Sequence, residues 1–182
     1  MKRPLGQTLL IVITVTLGAA LMLIVLTGTV KTYNMPTNSM APSVPAGSHM
    51  VVVRSSRANR GDVVVFRYPL HPEVTMCKRV VGVEGDTVEI RAKTLLVNGR
   101  TVAEPYVIHD DDVIYPKQPL LPEPYRSRDN FGPYPVEPGH LFVLGDNRDQ
   151  SADSRYWGTI ARHSVIGHPI LIYSTKRGVW RP

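Results

Sequence analysis

The stretch LLVNGRTV, residues 95–102, decides the fold class of this 182-residue chain. Its centre, Asn98-Gly99, is the pair best suited to a two-residue turn that needs positive φ at both central positions. Apolar or β-branched residues flank the turn on both sides. The stretch therefore predicts an antiparallel β-hairpin around Asn98 and Gly99.

Further short runs rich in β-branched residues lie on both sides of this hairpin and predict more strands. With the hairpin's own first strand, these runs are 49–53, 62–66, 78–83, 87–90, 95–97, 141–144 and 165–173. No segment after residue 30 repeats apolar residues at a sustained 3.6-residue period, which favours a mainly β domain there. We predict a mainly β domain, built as an antiparallel, barrel-like sheet.

Residues 105–138 differ in composition from these runs. They hold eight of the chain's sixteen prolines, together with Asp110, Asp111 and Asp112. Each proline removes a backbone donor and fixes φ, so the segment should oppose regular strand pairing. We expect an extended, loop-rich excursion here.

The amino-terminal segment TLLIVITVTLGAALMLIVLTGTV, residues 8–30, carries no charge. As a helix rising ~1.5 Å per residue it would cross a ~30 Å hydrocarbon core. A cleavable signal peptide is the alternative, because Lys2 and Arg3 form a basic head, but its apolar region of ~7–15 residues would be shorter. We predict a cytoplasmic tail at 1–7, a transmembrane anchor at 8–30 and one domain outside the membrane at 31–182.

The charge and cysteine content narrow the possible partners. The net charge is +6, and without Lys2 and Arg3 the remaining 19 basic and 15 acidic residues leave +4. No Lys/Arg cluster is interleaved with aromatic residues, so we expect attraction to anionic membrane lipid and no nucleic-acid partner. Cys77 is the only cysteine, which excludes an internal disulfide and a multi-cysteine zinc site.

Ser39 is a candidate nucleophile in the stretch MPTNSMAPSV, residues 35–44. Pro36 and Pro42 flank it and would hold the loop that presents its hydroxyl. The alternative is a plain turn residue, which is the usual role of a serine among turn-forming neighbours. A nucleophilic serine also needs a base, and none of the six histidines stands in a recognisable catalytic setting.

Lys78 is the candidate base, in the predicted strand MCKRVVGV at 76–83. Strand alternation puts Lys78 and Arg79 on opposite faces, so one of the two must point inward. Burial among apolar groups can lower a lysine pKa by up to ~3–5 units, which would free the amine to accept a proton. The alternative is that Lys78 reaches solvent from a strand edge. Cys77 alternates away from Lys78 and is interpreted as a small hydrophobe.

A dense polar segment, GDNRDQSADSRYWG, occupies residues 145–158. Its first acidic and amide side chains invite a calcium-loop interpretation. However, Ser151 stands where such a loop needs glycine, and Trp157 stands where it needs a bidentate glutamate. We therefore expect no metal site and no cofactor.

Together these segments resemble the bacterial type I signal peptidases, the leader peptidase family. Four boxes of that family occur here in order, at 38–42, 61–66, 78–86 and 145–158. The resemblance extends over 8–173, and the box at 145–158 is its most specific part. It implies that Ser39 attacks the scissile carbonyl and that Lys78 takes the proton of Ser39. It also implies that Thr37, where serine is more familiar, helps the Ser39 backbone N–H to bind the oxyanion.

The resemblance further implies supporting roles within the last box. Ser151 would hold the lysine in place, and Asp153 and Arg155 would form an ion pair that supports the loop. The remaining polar residues of this box, such as Asp146 and Asn147, are expected to be structural.

The expected protein is a membrane-anchored serine endopeptidase that removes signal peptides from exported preproteins after small residues. It would be a single-pass, monomeric protein of the cell membrane, with its amino terminus in the cytoplasm. One alternative is a pilin-processing or inner-membrane peptidase of the same Ser-Lys type. Another is an inactive anchored binding module, against which the intact Ser39 and Lys78 argue. A self-cleaving repressor would need a DNA-binding helical domain where this chain has its apolar segment.

Overall fold

The computed structural model describes residues 4–115 and 128–182. Two helices, twelve strands and two 3-10 turns make up its regular structure. The helices are α1 (Leu5–Leu26) and α2 (Ser154–Trp157), and the 3-10 turns are Arg148–Gln150 and Arg162–Ser164. The strands are β1 (Val30–Asn34), β2 (His49–Arg54), β3 (Val63–Arg67), β4 (Thr75–Val83), β5 (Thr87–Arg91), β6 (Thr94–Val97), β7 (Arg100–Thr101), β8 (Phe131–Pro135), β9 (His140–Leu144), β10 (Ile160–Ala161), β11 (Val165–Ser174) and β12 (Gly178–Trp180).

Eight strands form the larger sheet, in the order β1-β2-β11-β3-β4-β9-β10, with β12 paired to β11. Every pairing in this sheet is antiparallel. Within the described residues the path is open, because β1 and β10 end it. The prediction of a mainly β, antiparallel domain is confirmed.

The remaining four strands form a smaller antiparallel sheet in the order β7-β6-β5-β8. The predicted hairpin is its β6–β7 corner, where Val97 pairs with Arg100. Asn98 and Gly99 have φ values of 54° and 74°, as a two-residue turn of this type requires. All seven predicted runs lie in strands whose bounds differ from the prediction by at most three residues at either end.

The expectation for 105–138 was wrong in one respect, because β8 lies inside this segment. The strand contains Pro133 and Pro135 and pairs with β5. It lies at the edge of the smaller sheet, where a missing N–H on the outer side interrupts no ladder. Residues 116–127 of the same segment lie outside the described residues.

Helix α1 ends earlier than the predicted span of 8–30. Gly28 has a φ of 64°, a left-handed conformation that commonly ends helices, and β1 already begins at Val30. Apolar side chains of α1 such as Leu9, Leu17 and Leu23 are exposed. Within residues 4–115 and 128–182, no helix meets the length and apolar character needed to cross a membrane.

One of the buried apolar clusters joins the loop after β1 to the larger sheet. It includes Met35, Met40 and Val44 from the loop and Met50 and Cys77 from the strands. Full burial of a side chain as large as methionine contributes ~1.5–3 kcal/mol. The loop is therefore packed onto the sheet as part of its core.

Candidate active site

The loop that carries Ser39 is held by its neighbours in the sequence. Met40 is fully buried, and the Val44 N–H donates to its carbonyl at 2.7 Å. The Asn38 side chain accepts a hydrogen bond from the Ala46 N–H at 3.0 Å. Ser39 therefore lies between the buried Met40 and the hydrogen-bonded Asn38. Ser39 itself is only 6% exposed.

Strand β4 brings Lys78 to this loop. The Lys78 Nζ lies 2.7 Å from the Ser39 Oγ, although 39 positions separate the two residues. As an ammonium, Nζ donates to the hydroxyl oxygen, and as an amine it can accept the hydroxyl proton at the same distance. The pair has the reach that nucleophile and general base require.

Burial controls the charge of Lys78. The side chain is only 2% exposed, because the Ser39 loop and the segment at 145–158 cover its face of β4. This burial lowers the pKa of the Lys78 ammonium, while the Asp153 carboxylate acts in the opposite direction. The alternative in which Lys78 reaches solvent from a strand edge is wrong, because the strand is internal to the sheet.

Arg79 is also buried, at 8% exposure, although it follows Lys78 on the strand. The inference that one of the two residues points inward was therefore incomplete, because both faces of β4 are covered here. The Arg79 guanidinium donates to both oxygens of Asp146, at 2.8 and 2.7 Å, and lies 3.9 Å from the Tyr106 ring centroid. A bidentate pair of this kind supplies the charge and hydrogen bonds that a buried guanidinium needs.

The polar segment at 145–158 lies directly against the Ser39 loop. The Asn147 N–H donates to the Ser39 carbonyl at 3.2 Å. Gly145 has no room for a side chain, since a Cβ there would stand 2.4 Å from that carbonyl oxygen and 2.2 Å from the Ser151 Oγ. The segment therefore fixes the backbone of the nucleophile loop by contact and by hydrogen bonding.

Asp153 and Arg155 form a fully buried ion pair in this segment. The Arg155 Nε and Nη2 donate to the two oxygens of Asp153, each at 2.8 Å. Asp153 also accepts from the Gly145 N–H at 3.0 Å. Burial alone would raise the pKa of Asp153, but the charge and hydrogen bonds of Arg155, the Lys78 charge and the Gly145 N–H together outweigh it, and the net pKa is lowered. The carboxylate thus stays ionised and faces Lys78 as a counter-charge.

Thr37 and Ser151 both lie near the dyad. The Thr37 hydroxyl is 3.2 Å from the Ser39 Oγ. The Ser151 Oγ is buried and has no hydrogen-bond partner within the described residues. Their expected roles, oxyanion binding and support of the lysine, stay predictions.

A cavity of about 210 Å³ opens beside the dyad. Ser39 and Lys78 contribute to its wall, and most of the remaining wall is apolar, including Met35, Val65 and Val74. Cys77 also borders the cavity, but burial raises the pKa of its thiol to about 12. A thiolate nucleophile at this position is therefore disfavoured.

In the described part of the chain, no histidine hydrogen-bonds to Ser39 or Lys78. Nor do those residues contain a group of three or more His, Cys, Asp or Glu side chains able to hold a metal ion.

Residues 104–108 pack against the segment at 145–158 and against β4, and the sequence did not predict these contacts. Ile108 forms a bridge with Asn147, Tyr106 covers Arg79, and Glu104 pairs with Arg148 at 2.5 Å. Each contact joins residues that are 27 to 44 positions apart. No local pattern in a proline-rich stretch could have indicated them.

The chain is similar to known proteins over most of its length. A family model described as "Signal peptidase, peptidase S26" matches residues 7–174. Signal peptidase I of Pseudomonas aeruginosa is 34% identical over an alignment 183 positions long, and the alignment covers 79% of this chain and 64% of that protein. Signal peptidase I V of Bacillus subtilis is 33% identical over 139 residues, covering 74% of this chain and 80% of that protein.

Among solved structures, a signal peptidase I from Enterococcus faecalis V583 is 30% identical and has a TM-score of 0.47, covering 62% of this chain and 96% of that chain. The chain spans 64% of the length of the two Pseudomonas signal peptidases that it matches.

Proposed function

Since this chain belongs to the signal peptidase family, peptidase S26, we propose that it is a serine endopeptidase that removes signal peptides from exported preproteins. The observation that carries this proposal is the 2.7 Å contact between the Ser39 Oγ and the Lys78 Nζ. Lys78 is buried beside a hydroxyl that lines an open cavity, which is what a serine nucleophile with an amine base needs.

The proposed reaction is acyl transfer in two halves. The Ser39 Oγ attacks the scissile carbonyl carbon while the Lys78 amine accepts the hydroxyl proton. The C–N bond then breaks, and the Lys78 ammonium returns the proton to the leaving amine. A water molecule next loses a proton to Lys78 and attacks the ester carbon. The C–Oγ bond breaks, the signal peptide leaves as a carboxylate product, and the Lys78 ammonium returns its proton to the Ser39 Oγ.

Developing negative charge on the carbonyl oxygen needs hydrogen-bond donors. The Ser39 N–H donates no hydrogen bond within the described residues and is therefore available. Thr37, whose hydroxyl lies 3.2 Å from the Ser39 Oγ, is the proposed second donor. Ser151 and the Asp153–Arg155 pair are proposed to keep Lys78 and the loop in position.

A preference for small residues before the cut accords with the cavity. Its volume is about 210 Å³, and the buried chains Met35, Met50 and Val65 contribute to its wall. Such a space accommodates an Ala-x-Ala-like segment more readily than one with large side chains. The polar residues of its wall include Asn34, Thr37, Thr75 and the dyad, and most of the remaining wall is apolar. An apolar wall suits apolar signal-peptide residues.

We also propose that residues 8–30 anchor the chain as a single pass in the cell membrane. The segment is uncharged, and the helix Leu5–Leu26 would be about 33 Å long at 1.5 Å per residue. Lys2 and Arg3 favour an amino terminus in the cytoplasm and a peptidase domain, 31–182, outside. Membrane lipid and preprotein signal peptides are the proposed partners of a monomeric enzyme.

The direct test is cleavage of a purified preprotein by the full chain and by two variants. Ser39→Ala removes the nucleophile, and Lys78→Met replaces the amine by a neutral side chain of similar length. We expect each to lower kcat/KM by about a thousandfold or more. Arg100→Gln, at an exposed site in β7, is the matched control and should cleave normally. Full cleavage by both dyad variants would overturn the proposal.

A further inference from the structure

A second cavity, of about 530 Å³, lies where the chain leaves helix α1. Gly28 and Thr29 form part of its wall, only two and three residues after the helix ends at Leu26. A chain extends at most ~3.6 Å per residue, so Gly28 lies within about 7 Å of the helix end. If α1 is the anchor, this cavity lies at the level of the lipid headgroups.

The cavity is basic. Lys31, Arg54 and Arg67 contribute three formal positive charges, His163 adds an imidazole, and no acidic residue lines it. Within the described residues, none of these four side chains forms an ion pair or a hydrogen bond. All four side chains are exposed, whereas buried cations of the domain such as Arg79 and Arg155 are paired with carboxylates. The positive charge of this cavity is therefore uncompensated.

The rest of the wall combines hydroxyl groups with apolar side chains. Ser55 and Ser56 offer hydroxyl donors, and Val52 and Val165 supply apolar surface. This pairing suits a ligand with a charged phosphate joined to a glycerol and acyl chains. The apolar side of the wall would contribute no favourable contact to a free inorganic anion.

We propose that this cavity binds the phosphate headgroup of an anionic phospholipid of the leaflet in which α1 ends. The inference rests on the proposed membrane anchor, because the anchor is what places the cavity among headgroups. Anionic lipid attracts cationic side chains near a membrane surface, and each contributes roughly a fivefold gain in affinity. Arginine adds bidentate hydrogen bonding to phosphate.

The headgroup site and the peptidase cavity share a wall. Tyr33 of β1 lines both cavities, and its partner strand β2 contributes Val52 to one and Met50 to the other. A lipid bound at the first cavity therefore holds the strand pair next to Ser39 at a set height above the bilayer.

The test uses the isotope-labelled full chain in neutral detergent micelles, followed by amide NMR shifts. The probe is dihexanoyl phosphatidylglycerol below its critical micelle concentration, with dihexanoyl phosphatidylcholine and inorganic phosphate as separate arms. We expect saturable shifts at Gly28, Lys31 and Arg54 with phosphatidylglycerol, and binding at least tenfold weaker in the other two arms. Equal affinity for inorganic phosphate, or equal affinity for phosphatidylcholine, overturns the assignment of an anionic lipid site.

Substitutions of the cavity arginines test whether phosphatidylglycerol binds at this cavity. Arg54→Gln and Arg67→Gln should each weaken phosphatidylglycerol binding about fivefold, and the double variant about 25-fold. Arg100→Gln removes an exposed arginine remote from the cavity and should leave the affinity unchanged. If both cavity variants bind like the unsubstituted chain, or if Arg100→Gln weakens binding equally, the proposal is overturned.

Preprotein cleavage, measured in the same samples, separates this proposal from the proposed function. If the peptidase assignment fails, cleavage is absent while phosphatidylglycerol still binds. If the lipid site fails, cleavage persists without saturable binding. Insertion into vesicles, assayed by flotation, tests the anchor independently of both.

Discussion

The backbone N–H of Asn147 donates a 3.2 Å hydrogen bond to the carbonyl oxygen of Ser39. The bond joins two loops that are more than a hundred positions apart, and it holds the backbone of the nucleophile. The Lys78 Nζ approaches the hydroxyl of the same residue. Ser39 is thus held through its backbone by one box and through its side chain by another.

Gly145→Ala should disrupt this arrangement. The new Cβ would lie 2.4 Å from the Ser39 carbonyl oxygen, so the backbone of the loop must shift. We expect a loss of stability of about 1–3 kcal/mol from overpacking and a fall in kcat/KM of about a hundredfold from misplacement of the nucleophile. Preprotein cleavage and denaturant unfolding measure the two effects.

The matched control is Gly139→Ala, at a site with open space around the added Cβ and a φ of 73°. It should lower stability by about 1–2 kcal/mol through backbone strain alone and leave kcat/KM within twofold. Equal losses of activity in the two variants would show that the Ser39 contact is not the cause.

The kcat/KM of cleavage should rise with pH. Burial lowers the pKa of Lys78 from its usual value, and only the neutral amine can take the proton of Ser39. Below that lowered pKa the rate should increase tenfold per pH unit, and above it the rate should level off. Lys78→Arg keeps its charge at every accessible pH and should be inactive throughout. A flat profile from pH 5 to 9 is incompatible with Lys78 as the base.

Lys78→Met should stabilise the fold while abolishing cleavage. The folded pKa of Lys78 lies below the unfolded value near 10.5, so between these values the unfolded chain binds more protons and stability rises with pH. At neutral pH the buried lysine therefore destabilises the fold, by about 1.4 kcal/mol for every tenfold loss of proton affinity on folding, and methionine avoids this cost. Urea unfolding should show a gain of about 1 kcal/mol or more at pH 7 that shrinks towards pH 10.5. A less stable variant at pH 7 contradicts this account.

Asp153→Asn should have two separable effects. It leaves the fully buried Arg155 guanidinium without its counter-charge, at a cost of about 3–5 kcal/mol. It also removes a carboxylate that raises the pKa of Lys78, so the acidic limb of the kcat/KM profile should move to lower pH. Thermal unfolding and a pH series measure these effects. The comparison variant Glu89→Gln breaks the pair with Arg91 on the smaller sheet. It should change neither the unfolding temperature nor the position of the acidic limb.

Cys77 should resist alkylation in the folded chain. It is 4% exposed, and burial raises the pKa of its thiol to about 12, so almost no thiolate exists at neutral pH. Iodoacetamide should label it only after denaturation and should not inhibit cleavage by the folded chain. Rapid labelling together with loss of activity would mean that the cavity exposes the thiol.

Local patterns were enough to predict most of the β structure. Each strand needs only alternating or continuous apolar residues, and the β6–β7 hairpin needs only Asn98 and Gly99, whose positive φ values are a property of the turn itself. The boxes around Ser39 and Lys78 are also visible in the sequence, because their residue types are close together within each box. What a box contains could thus be identified without knowing where the others lie.

Tertiary structure alone decided how the boxes meet. The 2.7 Å contact of Lys78 with Ser39, the burial of Arg79 against Asp146 and the position of Ile108 beside Asn147 all join distant parts of the chain. The pairing of the proline-containing β8 likewise depends on its place at a sheet edge. Strand order, burial and pKa arise from which surfaces pack together, and packing between remote segments leaves no periodic signal in either segment.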